Sequence, residues 1–395
     1  MNNVRGKVAV VGVGYSRLSR DPQQTLGQDA VEACASAVAD AGLKLEDIDG
    51  VSTAAKQPFA NAGSQDGADM VTPGYLVSSL KLPNVGWANN DKGQIGSSFI
   101  AAAEAIAAGE CTTALVWRAL SFPRGERYSR VDPSAAAGEM QFWTPYGFSD
   151  AGPPYYSYLY RRYMERYGAT REHMATFIAN NRANALLNEK GYWYNERPEP
   201  LSREGYLNSR MISEPYCIHD CDLPIQGCAA YLLTTTDRAQ AAPNNPAYLV
   251  GYGDGKHPRT TQGPLEAFQL FTQSVAKELW ESTGMGPGDI DTANVYDGFS
   301  FVVYLYLESL GFCGEGEAFE FVQGDYTTLR GGLPLNTSGG NLGEGRLHGA
   351  AHISEAILQA QGRAGARQIK DANLTLAASG IRSWGQAFIF SSESL

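Results

Sequence analysis

Side chains able to move a proton or hold an anion gather in three short stretches of this 395-residue chain. The first is Tyr296-Asp297, at the end of a strand-like run from Thr292 and just before Gly298-Phe299. A free phenol titrates at about pH 10, so Tyr296 needs a cationic neighbour or strong hydrogen bonds to act as a base near neutrality. Asp297 can orient a neighbouring side chain or cap a helix running from Gly298 onward. The second stretch is the glycine-rich block Pro334-Leu335-Asn336-Thr337-Ser338-Gly339-Gly340-Asn341-Leu342-Gly343-Glu344-Gly345-Arg346-Leu347-His348-Gly349. Arg346 cannot serve as a base, but it can hold a developing anion or lower the pKa of a phenol, and His348 can pass a proton if it faces a cavity. Asn336 and the Gly339-Gly340 turn suit the wall of a pocket, because small residues let backbone approach a ligand. The third stretch, Cys217-Ile218-His219-Asp220-Cys221, puts three possible metal ligands within five residues. A structural zinc site needs a fourth ligand and usually a second ligand pair elsewhere, so no metal is expected there.

The elements that must position these residues come in two copies. Val11-Gly12-Val13-Gly14 closes an apolar run from Val8, and Val250-Gly251-Tyr252-Gly253 closes another from Ala247. Apolar residues then recur at helical spacing from Leu26 to Ala41 and from Ala267 to Ser282. The exits nearly match: Gly42-Leu43-Lys44-Leu45-Glu46-Asp47-Ile48-Asp49 and Gly284-Met285-Gly286-Pro287-Gly288-Asp289-Ile290-Asp291. Each glycine suits a helix C-terminus, and each acidic turn leads to a strand, Gly50 to Ala54 and Thr292 to Tyr296. A loop, a small-residue helix and a strand follow in both copies. In the first they are Asn89 to Gly96, Ser97 to Ala108 and Thr112 to Trp117; in the second, Asn336 to Gly349, His352 to Gln361 and Asn373 to Ala378. Helices alternating with strands predict a layered α/β architecture with ligands at loops that meet helix N-termini. The expected halves are 1–243 and 244–395, with an aromatic-rich insertion at about 121–243. That insertion carries Met140-Gln141-Phe142-Trp143-Thr144-Pro145-Tyr146 and Pro153-Pro154-Tyr155-Tyr156-Ser157-Tyr158-Leu159-Tyr160. Such density suits packing, a lid or a subunit interface, with a steroid or aryl pocket as the sharper alternative. A dinucleotide fingerprint after Gly12 fails, since neither Arg17 nor Leu18 supplies the third glycine.

Composition narrows the function. With 43% hydrophobic and 18% charged residues the whole chain is expected to fold, and at this length as two packed halves. A net charge of -11 argues against a nucleic-acid partner, which would need clustered Lys and Arg. No apolar run approaches the roughly 18 residues of a membrane span. Six scattered cysteines, Cys34, Cys111, Cys217, Cys221, Cys228 and Cys313, fit reduced thiols and a cytoplasmic location better than a disulfide framework.

On these motifs the chain resembles the thiolase superfamily, and within it the lipid-transfer-protein or sterol-carrier type, over nearly its whole length. The pieces that carry the resemblance are Ile212-Ser213-Glu214-Pro215 through Asp220-Cys221-Asp222, Tyr296-Asp297-Gly298-Phe299, Leu310-Gly311-Phe312-Cys313 and, above all, the glycine-rich block. The resemblance implies a thiolase-like fold: two similar βαβ-rich halves in a layered α/β/α/β/α arrangement. In degradative thiolases a nucleophilic cysteine precedes the helix that matches Ser97 to Ala108. Here that loop reads Asn89-Asn90-Asp91-Lys92-Gly93-Gln94-Ile95-Gly96, with Gly93 or Gln94 at the cysteine's place. The histidine of the thiolase Gly-His-Pro motif falls on Arg346, and Ser379-Gly380-Ile381-Arg382-Ser383-Trp384-Gly385 replaces the C-terminal cysteine motif. A thiolase needs a thiolate to form its acyl-enzyme, so the reaction here must differ.

Members of the superfamily without the cysteine include steroid side-chain aldolases. The resemblance therefore implies an acyl-CoA retro-aldolase, cleaving a β-hydroxyacyl-CoA with a steroid or bile-acid side chain to a ketone or aldehyde and a short acyl-CoA. Such cleavage needs a base for the β-hydroxyl proton and donors for the thioester enolate. In those aldolases a tyrosine of the Tyr-Asp segment takes part in proton transfer, which implies catalytic parts for Tyr296 and Asp297. They carry a second tyrosine in the glycine-rich block where this chain has Arg346, so that position is expected to be electrophilic, with His348 nearby. Gln94, His219, Asn336, Gly339 and Gly340 are carried over as substrate-binding positions. The resemblance implies no cofactor beyond the coenzyme A thioester itself, a homodimer, and a small separate OB-fold and zinc-ribbon partner that would own any zinc. Two rivals stand beside this reading: a β-ketoacyl-CoA thiolase with a displaced nucleophile, Cys228 or Cys313, and a non-catalytic lipid or acyl-CoA binding subunit.

Overall fold

Strand β1 (Val8–Tyr15) shows how the layers arise. Successive side chains of a strand point to opposite faces, and here both faces are apolar: Ala9 and Val11 enter one hydrophobic cluster and Val8 and Val10 another, which Val13 joins because the register shifts between Val10 and Gly12. The computed structural model describes residues 4–55, 65–91, 93–122, 141–142, 152–255, 264–381 and 385–395. Its further strands are β2 (Gly50–Thr53), β3 (Trp87–Asn90), β4 (Thr113–Ser121), β5 (Met211–Ser213), β6 (Tyr216–Cys217), β7 (Gln226–Thr235), β8 (Ala247–Gly253), β9 (Thr292–Asn294), β10 (Leu374–Ser379) and β11 (Gln386–Ser391). The helices are α1 (Leu26–Asp40), α2 (Pro73–Leu80), α3 (Ile95–Ala108), α4 (Pro153–Tyr167), α5 (Arg171–Ala185), α6 (Tyr192–Asn195), α7 (Arg203–Leu207), α8 (Thr236–Ala239), α9 (Leu265–Thr283), α10 (Val302–Ser309), α11 (Ala318–Phe321), α12 (Gly340–Glu344) and α13 (Ala350–Ala360).

Nine strands form one sheet in the order β3-β2-β4-β7-β1-β8-β11-β10-β9, and β5 pairs with β6 separately. The halves meet at β1 and β8 through only two residue pairs, Ala9 with Tyr248 and Val10 with Ala247. Three clusters then separate five layers. On one outer face α1 and α2 pack through Leu26, Ala33, Ala37 and Leu76. Between the two half-sheets, α3 and α13 contribute Phe99, Ile106, Ile353 and Ile357, facing Val116 and Tyr231 of the first half and Phe388 and Phe390 of the second. On the other outer face lie α9 and α10 with the helices of the insertion. The alternation persists in β11, whose Phe388 and Phe390 face the middle layer while Ala387 and Ile389 face outward. This is the α/β/α/β/α arrangement.

The repeat is visible atom by atom. Asp49 accepts from the backbone of Thr112 and Thr113 at the start of β4, and Asp291 accepts from Asn373 and Leu374 at the start of β10. A Cβ on Gly14 would lie 2.0 Å from the Ala33 carbonyl oxygen, and one on Gly253 2.1 Å from that of Val275. These glycines let α1 and α9 sit tightly on their strands, which is their use in place of a nucleotide.

One boundary differs from expectation. Residues 226–235, assigned to the insertion, form β7 between β4 and β1 in the main sheet. The run is buried on both faces, and it pairs with β4 over nine residues. The aromatic run at Pro153 became α4, with Tyr155, Tyr156, Tyr160 and Tyr163 buried against Phe268, Phe299, Phe301 and Tyr304. Those rings are packing for the second half. Met140, Trp143 to Tyr146, Lys92 and Arg382-Ser383-Trp384 lie outside the described residues. Among the described residues no helix is long and apolar enough to cross a membrane.

Candidate active site

The glycine-rich block is held to β9 and the residues after it by backbone bonds and by the side chains of Thr292, Asn294 and Asn336. Asn336 accepts from Val295 N at 2.7 Å and donates to Val295 O at 2.9 Å, imitating a paired strand one step beyond β9. Its own backbone is left-handed, with φ 45°, as is that of His348, with φ 52°. Such strain in non-glycine residues persists only where the surroundings over-determine it, and it clusters at functional sites.

Asp297 caps a helix, but not the expected one. Residues from Gly298 lead into a bend, and the carboxylate instead receives the backbone N–H groups of Asn341 at 2.7 Å and Leu342 at 3.5 Å, in the first turn of α12. His352 Nε2 donates to Asp297 Oδ1 at 2.9 Å and Asn181 Nδ2 to Oδ2 at 3.3 Å. A Cβ on Gly340 would fall 2.2 Å from Asp297 Oδ2, so only glycine lets the carboxylate approach this turn. Gly339, with φ 88°, brings the same turn against Ala185 of α5. Asn336, Gly339, Gly340 and Asp297 thus act together to fix the loop that carries Arg346 and His348.

Tyr296 is buried, its ring folded back over Gly298, where a Cβ would meet the phenol oxygen at 2.5 Å. Burial raises its pKa well above the ordinary value, the charge of Asp222 raises it further, and Arg346 pulls it down. The resting phenol is therefore protonated. Arg346 stacks over Phe122 with its guanidinium carbon 4.5 Å from the ring centre, and its Nε is 3.7 Å from Asp222 Oδ2.

A second cation, absent from the sequence expectations, completes the group. Arg118 projects from β4, is fully buried, donates to the Ala54 carbonyl and places Nη2 2.8 Å from His348 Nδ1. An arginine can only donate, so Nδ1 is the acceptor and the imidazole proton sits on Nε2. Burial, then Arg346 and Arg118, hold the His348 pKa well below its ordinary value, so the ring is a neutral donor. Burial and Arg346 lower the Arg118 pKa to about 10, which leaves it charged at neutral pH. Arg118, Arg346, Tyr296 and neutral His348 together form a donor-rich, positively charged cluster bordered by the carboxylates of Asp222 and Asp297. Two further residues had escaped notice as site candidates. Asp222 closes the segment that runs from Ile212, and His352 lies in the first turn of α13, four residues after His348.

Gln94 is the residue before α3, buried, with its backbone rather than its side chain completing the helix start. Gly96 in the first turn of that helix packs against Ser379 and Gln386, and Gly349 packs against Ser379. His219 lines a cavity with Arg20, Arg182, Arg197 and Trp193, and Tyr296 is not among that cavity's described lining residues. Cys228 faces the outer cluster of the first half and its thiol is raised by burial; burial likewise pushes Cys313 up to about 12. Neither has the electropositive, exposed setting of a nucleophilic cysteine. Among the described residues no group of three His, Cys, Asp or Glu can hold a metal ion.

A five-layered fold of two like halves, with a glycine-rich loop meeting the end of β9 and no cysteine before α3, defines a thiolase-type protein without the thiolase nucleophile. Residues 256–391 match the family described as thiolase C-terminal domain-like. Over 374 residues the chain is 31% identical to a steroid side-chain-cleaving aldolase of Thermomonospora curvata, covering 92% of each. It is 30% identical to the 17-hydroxy-3-oxo-4-pregnene-20-carboxyl-CoA lyase of Mycobacterium tuberculosis, covering 90% of this chain and 92% of the relative. The solved Ltp2-ChsH2(DUF35) aldolase superposes with a TM-score of 0.85 at 28% identity over 98% of both chains. Human mitochondrial 3-ketoacyl-CoA thiolase, at 14% identity and a TM-score of 0.68, shares the fold. The chain belongs to the steroid side-chain-cleaving aldolase family of the thiolase superfamily.

Proposed function

We propose that this chain is a carbon-carbon lyase that cleaves a steroid β-hydroxyacyl-CoA by retro-aldol chemistry, releasing a ketone or aldehyde and a short acyl-CoA. The observation that carries the reading is the charge pattern around Tyr296, a protonated phenol and a neutral His348 beside two arginines, in a chain with no cysteine before α3. Cleavage turns the thioester carbonyl into an enolate, and donors fixed in advance stabilise that charge without reorganising. Arg346, the Nε2–H of His348 and the Tyr296 hydroxyl take that part, with Arg118 fixing the tautomer of His348. Asp222 accepts the proton of the β-hydroxyl as the carbon-carbon bond breaks, Tyr296 protonates the enolate carbon, and the proton held by Asp222 then returns to the phenolate, restoring both groups. Asp297 is a positioning residue, acting through α12 and His352. The chemistry calls for no cofactor beyond the thioester of the substrate.

We further propose a homodimer that works in the cytoplasm with a small OB-fold and zinc-ribbon partner. The two-component name of the Ltp2-ChsH2(DUF35) aldolase supports a partner, and six unpaired cysteines support a reducing compartment. The test is ketone release from a steroid β-hydroxyacyl-CoA, with and without that partner, in the absence of free CoA and after cysteine alkylation. Cleavage that survives alkylation is expected; a strict requirement for free CoA would overturn the reading in favour of a thiolase, and binding without turnover in favour of a silent subunit.

A further inference from the structure

Beside the glycine-rich block, against Leu342 and Gly343, lies a cavity of about 200 Å³. Arg20, Arg182, Arg197 and His219 line it, and no carboxylate is among its described lining residues. Arg182 is 93% buried by its 7% exposure, lies 3.3 Å over the Trp193 ring, and has Nη1 on the Glu199 carbonyl and Nη2 3.5 Å from His219 Nδ1. The Arg197 guanidinium carbon is 5.4 Å from the same Trp193 ring, and its Nε meets the Glu199 carboxylate at 2.8 Å on the exposed side. Arg20 Nε is buried with no hydrogen-bond partner. Arg182 and the Arg20 Nε are buried without a carboxylate, whereas Arg197 is exposed and paired with Glu199 at the mouth, so a bound anion would offset the desolvation of the two buried groups. Sites for drug-sized ligands span roughly 300–1,000 Å³, so this space is too small for a steroid or an entire nucleotide and matches one anionic group.

We propose that this cavity is a phosphoryl-binding site, in which Arg20, Arg182 and Arg197 grip the oxygens of a phosphate or pyrophosphate group and His219 closes one side. Guanidinium forks match phosphate oxygens in pairs, and the bonds are charge-assisted. The site is connected to the reaction centre by short links. Asn181, on its wall, donates to Asp297 Oδ2 and to the Gly339 carbonyl, and Trp193 Nε1 donates to the Leu342 carbonyl at 3.0 Å. An anion here braces the block that carries Arg346. The phosphoryl group has two possible sources: the coenzyme A end of the substrate, which rests on the function proposed above, and a separate phosphate ester, which does not.

The test reads binding by the full chain, not cleavage, so its failure and a failure of the aldolase reading are distinguishable. Inorganic pyrophosphate is titrated by calorimetry into the wild type and into Arg20→Gln and Arg197→Gln, two variants that spare the Arg182 stack and whose folding is checked by circular dichroism. Each variant is expected to weaken pyrophosphate binding by about tenfold to a hundredfold. In the wild type, the His219 ring, whose pKa burial and the arginines hold down at about 4, is expected to titrate at higher pH once pyrophosphate is bound, as followed by NMR. Competition by CoA but not by phosphate-free pantetheine assigns the substrate as the source; pyrophosphate binding that CoA leaves intact assigns a separate ester. No pyrophosphate binding, or binding of equal strength in both folded variants, overturns the site.

Discussion

Replacing Tyr296 with Phe removes one hydroxyl and leaves the ring packed over Gly298. Burial and the neighbouring Asp222 charge hold the phenol pKa well above its ordinary value despite the pull of Arg346, so at neutral pH the group is a donor and not a base. A fixed donor to an oxyanion contributes about 2.7–4 kcal/mol, which is about 10²–10³ in kcat. The enolate exists only after the carbon-carbon bond begins to break, so the loss belongs in kcat, with KM little changed. The assay is ketone release at saturating substrate from pH 6 to 9. A base titrating far above this range would be deprotonated in a fraction that grows tenfold per pH unit, and kcat would climb with it. A donor gives no such climb until the phenol ionises, above about pH 10. The expected wild-type profile therefore carries no rising limb from Tyr296 across this range, and Tyr296→Phe lowers it without changing its shape. A wild-type kcat that rises tenfold per unit, with the slope lost in Tyr296→Phe, would show the tyrosine acting as the base and refute the donor assignment.

Arg118→Gln removes the charge that fixes His348; kcat is expected to fall by about 10²-fold, and NMR should show the His348 pKa rising toward its ordinary value, since one of the cations that depress it is gone. Gly340→Ala places a methyl group against the Asp297 carboxylate and forces a left-handed alanine, at 2.2 Å and φ 57° respectively. Urea unfolding should register a loss of more than about 1–2 kcal/mol from the backbone alone. His219 is depressed in the folded chain to about 4, chiefly by burial, whereas unfolded histidine protonates at about 6.5. Its contribution to stability is fully present above about pH 6.5 and is lost as pH falls through about 4. Denaturant midpoints measured from pH 7 to 4 should fall less steeply in His219→Gln; identical slopes would refute the assignment.

The fold was legible because each half repeats its punctuation and each mark has a local cause. Gly42 and Gly284 both take the left-handed backbone expected of a helix exit, and Asp49 and Asp291 hold equivalent strand starts. The candidate site was legible only where its parts lie together in sequence. Asn336 through His348 form one segment, and their types announce a strained, ligand-facing loop. Asp297 orients neighbouring side chains, His352 and Asn181, one of the two parts expected of it, but the helix it caps is not the one expected, since the N–H groups it meets belong to residues 341 and 342 and only the tertiary fold brings them near. β7 was hidden inside the insertion because a strand buried on both faces reads as a plain apolar run, with no alternation to set it apart from core.

Arg118 was the costliest omission, and its concealment has a physical basis. It sits within Leu115-Val116-Trp117-Arg118-Ala119-Leu120, where periodicity argues for a buried strand and a lone cation looks like an edge residue. No local rule says that the strand is interior and that a histidine from the other half of the chain waits 2.8 Å away. Arg346 could be found because it replaces an expected residue, whereas Arg118 replaces nothing and is visible only once the two halves are packed. The consequence is chemical. With Arg346 alone, His348 would be free to shuttle a proton, as the sequence suggested; with Arg118 on Nδ1, the same ring becomes a fixed donor, and the proton from the β-hydroxyl has to go elsewhere. That contact between the halves takes the histidine out of the base's part, burial takes out the tyrosine, and Asp222 is the base proposed in their place.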